Sequence, residues 1–171
     1  MSLTDLMSMI VPDLKTREKI LAKMGKRDFS DCFQCAKCTS GCTAFKLLEL
    51  KPQEIMNLVN LGFIEELVAS EIIWTCATCL KCTERCPQGT SPYHVIVALQ
   101  NMAAKRGENV PETYFKAVSQ ILETGLMQTV QKVTTNKMET VDREKLGLPK
   151  IKSPGETFKI ILLKALEEHV L

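Results

Sequence analysis

The sequence predicts an all-α protein, on three observations. Apolar residues recur at helical spacing in one segment after another. Proline opens several of these segments and glycine closes them, which is the asymmetry that helix ends favour. No segment shows a convincing two-residue alternation of the kind a half-buried strand needs.

Taken in order, Ser2 and Asp5 have the spacing of a capping box, with Leu3, Leu6, Met7 and Ile10 on one face. Pro12 is placed to open a second helix that runs to about Lys23, with Gly25 as its stop. Pro52 opens another, carrying Ile55, Met56 and Val59, and Gly62 ends it. Residues 63–70 form a short helix with Leu67 and Val68 inward. Ser91-Pro92 starts a helix with Val95, Ile96, Leu99, Met102 and Ala103 on one face, closed after Arg106 by Gly107. Pro111 starts the next, with Tyr114, Phe115, Val118, Ile121 and Leu122 at helical spacing before Gly125. Residues 130–152 are polar and without period, a surface loop or arm. Ser153-Pro154-Gly155-Glu156 has the spacing of a capping box, and Phe158, Ile161, Leu162, Ala165 and His169 follow as one stripe, either core or docking face.

The chain has 171 residues, 45% of them apolar and 25% charged, enough for one domain with a core and too apolar for a disordered tail. No apolar run approaches the roughly 18 residues a membrane span needs. Residues 1–10 carry Asp5 and no basic residue, unlike a signal peptide, so the expectation is a soluble, cytoplasmic protein. Basic residues are dispersed, with no stripe for nucleic acid. The formal charge of +2 counts all eight cysteines as neutral; as eight thiolates they would take it to −6.

Those eight cysteines are Cys32, Cys35, Cys38, Cys42, Cys76, Cys79, Cys82 and Cys86, all inside two runs that each read C-x2-C-x2-C-x3-C. Three chemistries use cysteines this densely. A disulfide framework suits small secreted domains and is not needed at this length. Structural zinc pairs two C-x2-C knuckles and has no use for a third and fourth cysteine in one tight run. Iron–sulfur chemistry uses all eight, and this is the spacing of bacterial two-cluster ferredoxins, down to Pro87 after the second run. In that motif three cysteines of a run hold one cluster and the fourth reaches the other. The expected ligands are therefore Cys32, Cys35, Cys38 and Cys86 for [4Fe–4S] cluster I, and Cys76, Cys79, Cys82 and Cys42 for [4Fe–4S] cluster II. This grouping follows the motif's behaviour and not spacing alone.

The runs are also an internal repeat with a period of 44 residues, in which Lys37 matches Lys81 and Thr39 matches Thr83. A lysine inside each loop either raises its cluster's potential or is simply solvated. Gly41 and Gly89 either let backbone N–H groups approach sulfur or serve turns. His94 and His169 are the only histidines, and eight cysteines leave no place for them as ligands. Trp74 is read as core packing rather than as an electron stepping stone.

The stretches CFQCAKCTSGC (32–42) and IIWTCATCLKCTERCPQGTSPYHVI (72–96) resemble the C subunit of heterodisulfide reductase, a helical two-cluster ferredoxin. The resemblance covers residues 31–106 well, continues weakly through 146–149 and is thin elsewhere. It implies a dicluster helical ferredoxin domain over 28–125, an N-terminal helical extension over 1–27, and a loop or arm with a C-terminal helix over 126–171. It also implies two [4Fe–4S] clusters and a non-catalytic role in an oxidoreductase complex of methanogenesis. In that complex electrons pass from a flavin-containing donor subunit to a catalytic subunit that reduces the mixed disulfide of coenzyme M and coenzyme B. Homologous relays in sulfur or sulfate metabolism, and a zinc-stabilised interaction module, are the alternatives. One departure is Thr43, where simple ferredoxins carry proline after the fourth cysteine. With every cysteine taken, no thiol remains for disulfide chemistry.

Overall fold

The structure, a computed structural model, describes residues 11–24 and 29–170, with side chains to residue 166. The segments expected around residues 1–10 and the stop at Gly25 lie outside the described residues, as does the side chain of His169. The fold is all-α apart from one short ladder. Its helices are α1 (Leu14–Lys23), α2 (Lys37–Ser40), α3 (Pro52–Leu61), α4 (Glu65–Val68), α5 (Lys81–Glu84), α6 (Pro92–Arg106), α7 (Glu112–Thr124) and α8 (Glu156–Val170). Single 3-10 turns occupy Phe29–Asp31 and Ile72–Thr75.

The chain divides into two compact units, Met1–Val110 and Pro111–Leu171. The sequence boundary expected after residue 125 falls inside the second. In the first unit, α6 is the spine. Its Val95, Ile96, Leu99 and Ala103 are buried with Ile55, Met56 and Val59 of α3, Leu67 and Val68 of α4, Ile20 of α1, Phe29 and Ile73. Each of these side chains larger than alanine contributes roughly 1.5–3 kcal/mol by leaving water. Side-chain amides tie the connections to this core. Gln100 donates to the Ile73 carbonyl (2.9 Å) and Asn60 to the Phe29 carbonyl (3.0 Å). Gln100 thereby anchors the turn just before the second cysteine run to the spine.

The start of α1 corrects the sequence expectation. The helix opens at Leu14, not at Pro12, because the Asp13 carboxylate accepts from the Thr16 N–H (3.0 Å) and so caps the first turn. Gly62 closes α3 at φ 88°, as its position suggested. A Cβ there would also stand 3.1 Å from Pro12 Cβ and 3.2 Å from the Asp13 nitrogen, so the α1 entry leaves no room for a side chain.

In the second unit, α7 begins after Pro111 and ends at Gly125 as expected, but none of its residues is buried. Residues 130–152, expected to be irregular, contain a two-residue antiparallel ladder, Val133–Thr134 against Thr140–Val141. Two pairs are too short to show alternation in a sequence. Helix α8 takes its first turn from the Gly155 carbonyl, which accepts from the Phe158 and Lys159 N–H groups. Of its expected stripe, Leu162 and Ala165 are half-buried while Phe158 and Ile161 are exposed.

Among the described residues, no helix is long and apolar enough to cross a membrane.

Candidate metal centres

The two cysteine runs fold into the same loop twice. In the first, Gln34 (φ 55°) and Ala36 (φ 62°) take left-handed conformations; in the second, Thr78 (φ 49°) and Leu80 (φ 63°) do so. Each of these four positions lies 44 residues from its mate. After the second left-handed residue each run makes one helical turn, α2 or α5. The fourth cysteine then closes it through a matching bond, Cys42 N–H to Thr39 O (3.1 Å) and Cys86 N–H to Thr83 O (3.2 Å). Non-glycine residues pay of order 1–3 kcal/mol to sit in this region. Two such residues per loop, at the same places, mark a loop held by something besides its own backbone.

The loops line two clefts, each with cysteines of both runs. Cys42 of the first run joins Cys76, Cys79 and Cys82, with Thr43, Ile72, Tyr93 and Ile96 around them. Cys86 of the second run joins Cys32, Cys35 and Cys38, with Phe33, Gln34, Gln53 and Thr90. These are the two sets of four that the motif groups together. All eight are free thiols, with Cys38 buried, Cys35 and Cys79 exposed, and the rest half-buried.

Electrostatics shows that the thiols crowd one another. Burial pushes Cys82 up to about 11, and the nearby Cys76 and Cys38 add to the effect. Burial also raises Cys76, with Cys42 and Cys79 contributing, and raises Cys38, with Cys32 contributing. Four thiolates in one cleft repel, so a positively charged core is what lets them ionise together. Hydroxyls compensate at two of them. Thr43 Oγ1 donates to Cys79 Sγ (3.1 Å) and, as the largest influence, lowers that thiol. Burial raises Cys86, but the Thr90 hydroxyl (3.2 Å) and local N–H groups outweigh it, and the net direction is down. Gln34 Nε2 donates to Cys32 Sγ at 3.4 Å.

The donor set fits a cubane. Among the described residues, no group of three Cys, His, Asp or Glu converges closely enough to hold a single metal ion. Tetrahedral zinc brings every sulfur within about 2.3 Å of one point. In a cubane each cysteine takes its own iron at its own corner, and four sulfurs around a cleft suit that.

The other residues singled out resolve as follows. Lys37 and Lys81 each begin a short helix inside a loop and are exposed. His94 meets the Ser91 hydroxyl through Nδ1 and packs edge-on to Tyr93, with ring centroids 5.0 Å apart. Ser91 in turn meets the Thr83 hydroxyl (2.8 Å), so this chain of groups fastens the second loop to the start of α6. The sequence marks Ser91 as a helix start, but its hydroxyl does not cap; the residue is buried at φ 50° and bonds sideways. Trp74 packs against the core, as expected. Gly89, at φ 65°, forms a turn with its N–H on the Cys86 carbonyl (3.3 Å). Gly41 has an ordinary φ of −104° and is small for another reason: a Cβ there would run into Arg85 Nε. Arg85 is the repeat mate of Gly41, so one run supplies the guanidinium and the other the room for it. Thr43, Thr90 and Arg85 are the neighbours that sequence reasoning did not assign. Thr43 and Arg85 had a visible signal, as the places where the repeat breaks.

A family model described as a 4Fe–4S dicluster domain matches residues 31–91. The iron–sulfur C subunit of the CoB–CoM heterodisulfide reductase of Methanopyrus kandleri is 28% identical over 137 residues, 80% of this chain and 66% of the relative. The second iron–sulfur C subunit of the CoB–CoM heterodisulfide reductase of Methanocaldococcus jannaschii is 34% identical over 127 residues, 74% of this chain and 64% of the relative. The C subunit of the H2:CoB–CoM heterodisulfide,ferredoxin reductase of Methanothermobacter marburgensis is 34% identical over 114 residues, 66% of this chain and 60% of the relative. The matched part therefore spans just under two thirds of these relatives' own length. The resemblance seen in the sequence holds: the chain is similar to heterodisulfide reductase C subunits, and its residues 31–91 match the 4Fe–4S dicluster model.

Proposed function

We propose that the chain holds two [4Fe–4S] clusters and relays electrons as the iron–sulfur subunit of a heterodisulfide reductase-type complex. Cys32, Cys35, Cys38 and Cys86 hold one cluster; Cys76, Cys79, Cys82 and Cys42 hold the other. The observation that supports this is that Cys42 lines the cleft of Cys76, Cys79 and Cys82, and Cys86 that of Cys32, Cys35 and Cys38. The clusters supply one-electron transfer when bound. The chain's residues do the rest. Cys32 and Cys76 pack against the unit's core, one at each site, while Cys35 and Cys79 face outward. A donor and an acceptor approach at those two outward ligands. The apolar walls of Ile72, Ile73 and Ile96 exclude water from one side of the second site.

The partners are a flavin-containing donor subunit and a disulfide-reducing catalytic subunit, and the setting is the cytoplasm. The chain itself turns over no substrate, since all its thiols serve as ligands. Anaerobic purification tests the cofactor: about eight irons and eight acid-labile sulfides per chain support it, and stoichiometric zinc refutes it. Dye-linked disulfide reduction tests the role. The isolated chain accepts electrons from a low-potential donor and reduces no disulfide. Adding the catalytic subunit restores turnover, and removing residues 154–171 weakens it if α8 docks. Disulfide reduction by this chain alone would overturn the relay.

A further inference from the structure

The repeat breaks at the residue that follows the fourth cysteine. The second run has Pro87 there, which carries neither a hydroxyl nor a backbone N–H. The first run has Thr43, and its hydroxyl crosses to the other run, 36 residues away in sequence, to reach Cys79 Sγ at 3.1 Å. Thr43 lines the same cleft as Cys42, Cys76, Cys79 and Cys82. It thus touches the ligand set to which Cys79 belongs.

We propose that Thr43 is a positioning residue that raises the reduction potential of the cluster held by Cys76, Cys79, Cys82 and Cys42, acting through the Cys79 sulfur. The proposal rests on the two-cluster reading above. The physical reason is that reduction adds electron density to the cluster and its thiolates, and a donor aimed at a ligand sulfur stabilises the more electron-rich state. Cys79 is an outward ligand. The Lys81 and Thr43 N–H groups also bond its sulfur, but the Thr43 hydroxyl is the largest of these influences, and without it water would take that place. Water is mobile and is lost when a partner covers the face. The Thr43 hydroxyl stays in place, because its residue is covalently next to another ligand, Cys42. The proposal assigns no order to the two potentials. Cys86 and Cys32 have donors of their own in Thr90 and Gln34. It assigns one donor to one cluster.

The experiment is a dye-mediated redox titration of the cluster-loaded protein, followed by EPR, with iron and sulfide counted on every sample. Three variants grade the donor: Thr43→Ser keeps the hydroxyl, Thr43→Val removes it, and Thr43→Pro removes hydroxyl and N–H together. Because Thr43 is exposed and water can partly replace it, the expected effect of Thr43→Val is about a fivefold fall in the reduction equilibrium of one cluster. At 59 mV per tenfold for one electron, that is about 41 mV downward. Thr43→Pro shifts the same cluster at least as far, Thr43→Ser titrates with the wild type, and the other cluster's midpoint stays fixed in all three. Thr43→Pro carries the test if Thr43→Val does not load fully. Unchanged midpoints in fully loaded Thr43→Val and Thr43→Pro would overturn the proposal and leave the two-cluster reading intact. So would a Thr43→Ser shift as large as that of Thr43→Val, or equal shifts of both clusters. A wild-type iron count near four, or zinc in place of iron, would overturn the reading and the proposal together.

Discussion

The loops 32–42 and 76–86 share a backbone and differ in what holds it. Both reverse direction through two left-handed residues and close on the fourth cysteine with the same hydrogen bond. The second loop then runs straight into α6, fastened through Thr83, Ser91 and His94. The first is followed by a segment of turns in which Ala44, Leu48 and Leu50 are buried. Lys51 holds that segment, donating to the Phe45 carbonyl (3.2 Å) and the Leu48 carbonyl, with its ammonium 4.9 Å from the Phe45 ring centroid. The first loop also exposes Phe33, at 70%, where the second has the small Ala77. Cysteine spacing thus dictates the path of the chain, and the neighbours dictate how firmly that path is held and how each sulfur is solvated. One motif used twice can yield two sites with different properties.

The largest effect that would sharpen this contrast is removal of the clusters. Stripping iron leaves buried thiols and left-handed residues without their compensation. The loss should be at least about 5 kcal/mol, or some 10 °C or more in thermal midpoint. Hydrogen exchange on the stripped protein should show loop 32–42 opening further than 76–86, because Thr83, Ser91 and His94 fasten the second to the start of the spine. Equal opening would break the contrast.

Next is Leu99→Ala, in the spine. It empties a fully buried site and should cost about 2–5 kcal/mol in denaturant unfolding. Ser91→Ala should act on the second loop alone. It removes the hydroxyl between Thr83 and His94 and should cost about 1–2 kcal/mol, with faster exchange at 81–86 and no change at 37–42. The smallest effect is expected at Gly41→Ala. The atoms its Cβ would meet belong to the end of the Arg85 side chain, which can swing away, so the cost should stay under about 1 kcal/mol. Gly62→Ala is the control: it meets backbone at a φ of 88° and should cost clearly more in the same unfolding assay.

Much of this was legible because it is local. Pro52 and Gly62 bracket α3, and Pro92 and Gly107 bracket α6, since proline pre-sets a first turn and glycine takes the left-handed stop. The cysteine loops were legible from spacing alone as a repeated motif. What escaped is tertiary. Nothing near Thr43 in sequence announces a sulfur 36 residues on, and nothing near Gly41 announces a guanidinium. Both stood out only as mismatches between the two halves of the repeat. At Pro12 the proline signal was outweighed by a better cap one residue later, in Asp13. On α7 the period was right and burial did not follow, because spacing reports a face and not what covers it.

The central claim is that the runs exchange their fourth cysteines, and EPR of reduced single-cysteine variants tests it most directly. Cys35→Ala marks the first-run cluster and Cys79→Ala the second, since each is the outward ligand of its own loop. Cys86→Ala should leave the same surviving spin signal as Cys35→Ala, and Cys42→Ala the same as Cys79→Ala. If Cys86→Ala instead matches Cys79→Ala, each run serves its own cluster and the exchange is wrong.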